Sequence, residues 1–209
     1  MNRRGLLLVI SSPSGVGKTS IVKQLLVLDS QLTMSVSVTT RPQRAGEVDG
    51  RDYHFIDEAT FQTRLEASAF IEHAKVYGNY YGTPRQFVFD RLDQGLDVVF
   101  DIDWQGTQQL AQMARQDLVS IFVLPPSLAE LEKRLRSRGL DAQDVIEKRL
   151  SQTATELSHW AEYDYVLIND DLEQTVAKVK TILDSERLKR IRQPDLASFV
   201  KQLSSNKNA

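Results

Sequence analysis

The feature that most constrains the fold is a glycine-rich loop placed between an apolar run and a helical pattern. The continuous apolar run at 6–10 is typical of a parallel strand covered on both faces. The loop SSPSGVGKTS follows at 11–20, and apolar residues then recur at helical spacing up to residue 28. Further strands are predicted at 97–103, 120–126 and 163–170. Strands that alternate with helices predict a parallel α/β sheet, with its ligand site at the carboxyl ends of the strands.

The loop matches a phosphate-binding pattern in all but one position. Gly17, Lys18 and Thr19 fit G-x-x-x-x-G-K-[ST], whereas Ser12 replaces the first glycine. In such a loop the backbone N–H groups bind phosphate oxygens, the lysine reaches the β and γ phosphates, and the hydroxyl coordinates Mg²⁺. The alternative is a glycine-rich turn with a surface lysine. The flanking strand and helix favour a P-loop NTPase-type parallel sheet flanked by helices, which binds a nucleoside triphosphate.

Two acids follow the predicted strand at 97–103. Asp101 and Asp103 lie where a carboxylate can face the metal or the nucleotide that accepts the phosphate. A strand-end carboxylate that only bonds to a loop is the alternative for either one. Thr19 and Asp103 are the Mg²⁺ ligands that we expect from these positions.

Composition and charge exclude several classes of protein. The chain has no cysteine, which excludes a disulfide framework and a thiolate metal site. The apolar run near the N-terminus has five residues, against about 20 for a membrane-spanning helix. A net charge of −2 argues against nucleic-acid binding, and we interpret the basic stretch at 184–209 as a solvated helix face rather than a nucleic-acid tail. We therefore expect a cytoplasmic protein without a nucleic-acid or membrane partner, and the sequence leaves homo-oligomerisation open.

The stretch at 35–96 interrupts the alternation of strands and helices, and it carries groups suited to an anion. Arg41 and Arg44 lie three apart around a proline turn, so their planar guanidinium groups could converge on one phosphate. Tyr53 and Tyr81 offer hydroxyl donors, and Ser37, Glu72 and Thr83 offer groups that could contact a base. Solvated arginines and packing tyrosines are the alternative. Residues 127–160 also depart from the alternation, and both stretches are interpreted as insertions that close over the sheet edge.

Several segments resemble the signature segments of guanylate kinases. These are SVSVTTRPQRAGEVDGRDYHFI, FIEHAKVYGNYYGT and DIDWQG, together with PSGVGKT, RLRSRG, KRL and VLIND. The resemblance runs from about residue 6 to about residue 190 and implies an enzyme that transfers the γ-phosphoryl group of ATP to GMP or dGMP, with Mg²⁺ as cofactor. The expected regions are a core (1–34, 97–126 and 161–209), a GMP-binding insertion (35–96) and a lid (127–160).

The resemblance also assigns roles to individual residues. ATP is assigned to Ser12, Pro13, Ser14, Gly15, Val16, Gly17, Lys18 and Thr19. The phosphate of GMP is assigned to Arg41, Arg44, Tyr53 and Tyr81, and guanine to Ser37, Glu72, Thr83 and Asp101. Catalysis is assigned to Lys18 and the lid arginines Arg134, Arg138 and Arg149.

The chemistry of guanine and of phosphate supports these assignments. Guanine presents two donors, N1–H and the 2-amino group, which ionised Glu72 and Asp101 can accept. Adenine lacks both donors, and a site built on such bonds can reject the wrong base by ~10⁴-fold. A phosphate monoester has its second pKa near ~6, so the attacking oxygen needs no general base and the reaction needs cations instead.

Two alternatives remain open from the residues. One is a catalytically silent interaction module that binds phosphopeptides through the acceptor site. The other is a P-loop kinase for a different phosphorylated acceptor. The presence of Lys18, Thr19 and the lid arginines favours an enzyme, and Ser37, Glu72 and Asp101 favour guanine.

Overall fold

A five-stranded parallel sheet forms the core of the computed structural model, which describes residues 3–76, 78–137 and 143–205. Every neighbouring pair in this sheet is parallel. In spatial order the strands are β2 (Leu32–Met34), β7 (Asp97–Phe100), β1 (Leu7–Ser11), β8 (Leu118–Leu124) and β9 (Tyr165–Ile168). The P-loop NTPase-type α/β fold predicted from the sequence is confirmed.

The central strand β1 explains the unbroken apolar run near the N-terminus. Leu6, Leu8 and Ile10 belong to one hydrophobic cluster, whereas Leu7 and Val9 belong to a second cluster on the other face. Successive side chains of a strand point to opposite faces, so a strand covered on both faces is apolar at every position.

Helices cover both faces of the sheet. The first cluster includes residues of α1 (Lys18–Leu28) and α7 (Leu172–Arg187), and the second includes residues of α3 (Arg85–Asp93) and α4 (Trp104–Ala114). Helix α4 and strand β2 were not predicted from the sequence. Asp103 caps α4, because its Oδ1 accepts a hydrogen bond of 3.1 Å from the Gly106 N–H.

The insertion at 35–96 contains a second sheet, in the order β4 (His54–Phe55), β3 (Val38–Thr39), β6 (Asn79–Pro84) and β5 (Phe70–Val76). Its small core stacks Phe61 of α2 (Glu58–Glu66) on Phe70, with ring centroids 4.6 Å apart. The segment at 78–85 is rich in residues that favour turns, yet it contributes β6. Antiparallel pairing of β5 with β6 overrides these local signals.

Two helices lie in the stretch at 127–160, α5 (Leu128–Ser137) and α6 (Gln143–Ser158). Ser127 caps α5, since the Glu130 N–H donates to Ser127 Oγ over 3.1 Å. A last helix, α8 (Leu196–Ser205), lies within the basic stretch at 184–209. In the described parts of the chain, no helix has the length and apolar character to cross a membrane.

Candidate functional site

The glycine-rich loop requires glycine at two positions. Gly15 and Gly17 adopt φ values of +93° and +111°, which L-residues with side chains rarely adopt. A Cβ on Gly15 would also lie 2.8 Å from Leu135 Cδ2, so the loop packs directly against α5. The loop is thereby held open at the N-terminus of α1, where backbone N–H groups attract anions.

The carboxylate that follows β7 lies against the loop. Lys18 Nζ lies 2.8 Å from Asp101 Oδ1, and Thr19 Oγ1 donates to Asp101 Oδ2 over 3.3 Å. Lys18 Nζ also donates to the Ile102 carbonyl over 3.2 Å. Parallel pairing of β1 with β7 brings these groups together, since both strands end at the same sheet edge. The structure therefore places Asp101, which was assigned to guanine, in contact with the phosphate loop.

A cavity of about 220 Å³ lies at the loop, and a carboxylate missed by the sequence analysis faces it. Glu156 of α6 accepts a hydrogen bond of 3.3 Å from the Ser14 N–H through Oε2. Burial raises the pKa of Glu156, although the Ser14 N–H and the nearby Lys18 oppose that shift. Asp103 lines the same cavity.

The lid arginines occupy different sides of the loop. Arg149 donates to Ser14 Oγ over 3.3 Å, on the inner side. Arg134 donates to the carbonyls of Val16 and Asn169 over 3.3 and 3.2 Å. Arg138 lies outside the described residues. The structure thus brings Arg149 to the phosphate loop, whereas Arg134 lies behind it.

A second cavity, of about 310 Å³, lies on the outer side of the loop. Its walls combine loop backbone with lid and strand-end residues: Gly15, Val16, Gly17, Ser20, Arg134, Ser137, Asn169, Asp170 and Leu172. The phosphate loop is therefore bordered by one cavity on each side, which suits a ligand with a phosphate chain and a larger group.

The insertion contains a buried cluster of one carboxylate and two hydroxyl groups. Glu72 on β5 lies opposite Thr83 on β6, and the Thr83 hydroxyl donates to Glu72 Oε1 over 2.5 Å. Ser37 Oγ lies 3.2 Å from Thr83 Oγ1. Glu72 is only 5% exposed, and burial raises its pKa, while the bond from Thr83 opposes that shift. The three predicted residues Ser37, Glu72 and Thr83 are thus brought together.

An arginine site lies beside this cluster. Arg41 is bound in a bidentate pair by Glu47, with N–O distances of 2.8 and 2.5 Å, and Glu47 Oε2 also accepts from the Arg44 N–H over 2.8 Å. These hydrogen bonds lower the pKa of Glu47 to about 2. The Arg41 guanidinium carbon lies 5.0 Å from the centre of the Tyr53 ring, which in turn lies 6.0 Å from the ring of Tyr81.

Glu47 was not predicted from the sequence either. Its place three residues after Arg44, in a turn that contains a proline, could have indicated a carboxylate partner for the arginines. The four residues predicted for the acceptor phosphate, Arg41, Arg44, Tyr53 and Tyr81, lie in one region around Glu47. The backbone N–H of Arg44 donates to Glu47, and Arg44 is an exposed residue.

The loop side and the insertion side face one another. The charge of Asp103 raises the pKa of Glu72, and the charge of Asp101 raises that of Tyr53, each as a secondary contribution after burial. A Cβ on Gly106 would lie 3.2 Å from Glu72 Oε2, so this buried carboxylate packs against the first turn of α4, which Asp103 caps. The end of β7 is therefore near both the phosphate loop and the buried carboxylate of the insertion.

Known proteins resemble this chain over almost its whole length. The family model described as guanylate kinase matches residues 4–186. A guanylate kinase from Paramagnetospirillum magneticum is 57% identical over 203 residues, which cover 97% of this chain and 95% of that protein. One from Zymomonas mobilis is 55% identical, with 96% and 93% covered. The crystal structure of guanylate kinase from Anaplasma phagocytophilum matches with a TM-score of 0.78 and 39% identity, covering 96% and 95%.

Proposed function

The chain belongs to the guanylate kinase family, an ATP:GMP phosphotransferase family, and from that premise we propose how its residues divide the reaction. One observation supports this division of roles: the phosphate loop and the buried carboxylate of the insertion both lie near the end of β7. Lys18 and Thr19 bind Asp101 there, and Glu72, bonded to Thr83, packs against Gly106 at the start of the helix that follows. The silent-module alternative finds no support among the relatives.

ATP binds at Ser12–Thr19 in this proposal, with its phosphates over the inner cavity and its base toward the outer one. Mg²⁺ would be held by the Thr19 hydroxyl together with Asp101 or Asp103. These are hard oxygen donors and few in number, which suits an ion that keeps water and phosphate ligands. When bound, Mg²⁺ neutralises charge on the β and γ phosphate oxygens. Asp101 is assigned here to the triphosphate side, because both of its oxygens already face Lys18 and Thr19.

GMP binds in the insertion, with its phosphate at Arg41, Arg44, Tyr53 and Tyr81. Its guanine meets Ser37, Glu72 and Thr83. Glu72 is held by Thr83 in an orientation that leaves Oε2 for the donors of the base. A buried carboxylate left unpaired by AMP would cost binding energy, so the pocket selects the base by hydrogen bonding.

The transfer itself needs positioning and positive charge. The attacking phosphate oxygen arrives deprotonated, so no side chain has to remove a proton. Lys18, which lines the inner cavity, and Arg149, which donates to Ser14 Oγ, stabilise charge on the phosphoryl group as it moves. Arg134 reaches that group only if its bonds to Val16 and Asn169 break, which requires the lid to move. Residues 35–96 and 127–160 are the segments that close around the two substrates.

Release of ADP, measured with GMP, dGMP, AMP, CMP and UMP as acceptors, tests the substrate assignment. GMP and dGMP should support turnover, and the other nucleotides should not. Strong turnover with AMP and none with GMP would refute it. Action in the cytoplasm without nucleic-acid or membrane partners remains a prediction from composition.

A further inference from the structure

A buried asparagine outside the predicted site residues bonds directly to the phosphate loop. Asn169 Nδ2 donates to the Val16 carbonyl over 2.7 Å, and the residue is 4% exposed. Asn169 follows β9, and its own N–H donates to the Leu124 carbonyl at the end of β8 over 2.9 Å. The core sheet therefore fixes the place from which this side chain reaches the loop.

The Asn169 amide lies close to both residues of the Val16–Gly17 peptide bond. A Cβ on Gly17 would lie 2.8 Å from Asn169 Nδ2, so the amide packs directly on the glycine. The Val16 carbonyl also accepts from Arg134 over 3.3 Å. Two donors on separate elements thus hold this carbonyl on the outer side of the loop, where Val16 and Asn169 line the outer cavity.

The geometry of a trans peptide gives this bond a consequence. The C=O of Val16 and the N–H of Gly17 belong to one planar unit and point in opposite directions. Holding the carbonyl outward therefore turns the Gly17 N–H inward, toward the cavity that Lys18 and Thr19 line. Within the described residues this N–H has no acceptor, which leaves it available to a phosphate oxygen.

Only one of the two polar atoms of the Asn169 amide has a hydrogen-bond partner among the described residues. Its Oδ1 is buried without a hydrogen-bond partner among the described residues. A buried unpaired acceptor destabilises the folded chain, and an apolar residue of the same shape would avoid that cost. The bond to Val16 is thus the structural use of this polar side chain in the ligand-free state.

We propose that Asn169 is a positioning residue for the donor substrate: by holding the Val16 carbonyl it aims the Gly17 N–H at a phosphate of ATP. The role rests on the proposed assignment of residues 12–19 to ATP. Asn169 acts through the loop, and its removal should weaken the binding of ATP without changing that of GMP.

Kinetics of Asn169→Ala and Asn169→Leu separate this role from a general loss of structure. Leucine keeps the volume but donates no hydrogen bond, so it keeps the test valid if the alanine variant folds poorly. Both variants should raise KM for ATP by about tenfold, the size expected for one lost hydrogen bond. KM for GMP should stay within about twofold of the wild-type value, a smaller change than the loss of one hydrogen bond would cause. Ile168→Ala, at an exposed neighbouring position, is the control and should match the wild type. An equal rise in both KM values would overturn the proposal.

The amide resonance of Gly17 gives a second, independent readout. In the wild type, MgADP should shift the ¹H–¹⁵N signal of Gly17 downfield as the N–H donates to phosphate. In both variants that shift should be small, while Lys18 and Thr19 signals still respond. If Gly17 shifts as much in the variants, the role of Asn169 is refuted and the ATP site stands. If no loop amide shifts in the wild type, the ATP assignment fails, and the proposal fails with it.

Discussion

Replacing Glu72 by glutamine should separate recognition of the base from every other property of the enzyme. The substitution keeps the shape of the side chain, and its amide oxygen can still accept the Thr83 hydroxyl, now 2.5 Å from Glu72 Oε1. The amide nitrogen then faces guanine, where it presents donors to donors. At least one hydrogen bond to a charged group is lost.

The size of the effect follows from that bond. A hydrogen bond to a charged group contributes about 1.5–3 kcal/mol. At about 1.4 kcal/mol for each factor of ten, kcat/KM for GMP should fall about 10- to 150-fold. KM for ATP should not change, because Glu72 is not in contact with the phosphate loop.

The thermal stability of the Glu72→Gln variant should not fall together with its activity. Burial raises the pKa of Glu72 above its ordinary 4.5, so folding disfavours the ionised form. That penalty is absent below the pKa of the unfolded chain, grows as the pH rises through the folded pKa, and is complete above it. At about pH 8 the Glu72→Gln variant should therefore melt at the same temperature as the wild type or higher.

The assay pairs steady-state kinetics for both substrates with thermal unfolding. Glu66→Gln, the same change at an exposed position of α2, is the matched control and should leave both unchanged. Loss of GMP activity together with a lower melting temperature would show that Glu72 acts through the fold. Unchanged kcat/KM for GMP would remove Glu72 from the base pocket.

Three further substitutions test the remaining assignments. Lys18→Ala should abolish turnover while calorimetry still detects GMP binding, and retained turnover would exclude Lys18 from the transfer. Glu47→Gln should raise KM for GMP about tenfold, because Arg41 and the loop after it lose a shared charged acceptor; a lower KM would mean that Glu47 competes with the phosphate. Glu156→Gln should lower KM for ATP at neutral pH, since it removes a negative charge from the cavity. In the wild type KM for ATP should fall as the pH drops toward the raised pKa of Glu156, and the same pH profile in the variant would contradict this origin.

The core of the fold could be predicted because its signals are local. The unbroken apolar run of β1 reflects burial on both faces of the sheet. The spacing of glycine, lysine and threonine in the loop after it is typical of phosphate-binding loops. Strand β6 could not be predicted in this way, because its turn-forming residues become a strand by pairing with β3 and β5, which are distant signals. Helix α4 was missed although Asp103 is an N-cap, since that acid was interpreted as a metal ligand.

The residues of the candidate site also differ in whether a local sequence pattern could predict their positions. Lys18, Thr19 and Asp101 could be placed together because the ends of parallel strands share one edge. Asn169 and Glu156 could not, since the contact of Glu156 with Ser14 joins residues 142 apart in sequence. No local pattern distinguishes such a carboxylate from a solvated acid on a helix, and only the folded chain brings it to the loop.

The two glutamates that the sequence analysis missed behave in opposite ways, and the difference follows from their surroundings. Glu47 makes two bonds to Arg41 and one to the backbone of Arg44, and these hold its pKa at about 2. It stays ionised at every physiological pH and keeps the arginine in place. Within the described residues Glu156 accepts one hydrogen bond, of 3.3 Å from the Ser14 N–H, and burial raises its pKa. If ATP binds as proposed, a phosphate oxygen that accepts from the Ser14 N–H replaces Glu156 there. The proposed acceptor side thus contains an anion that is paired with its arginine, whereas the proposed donor side contains one that we expect ATP to replace.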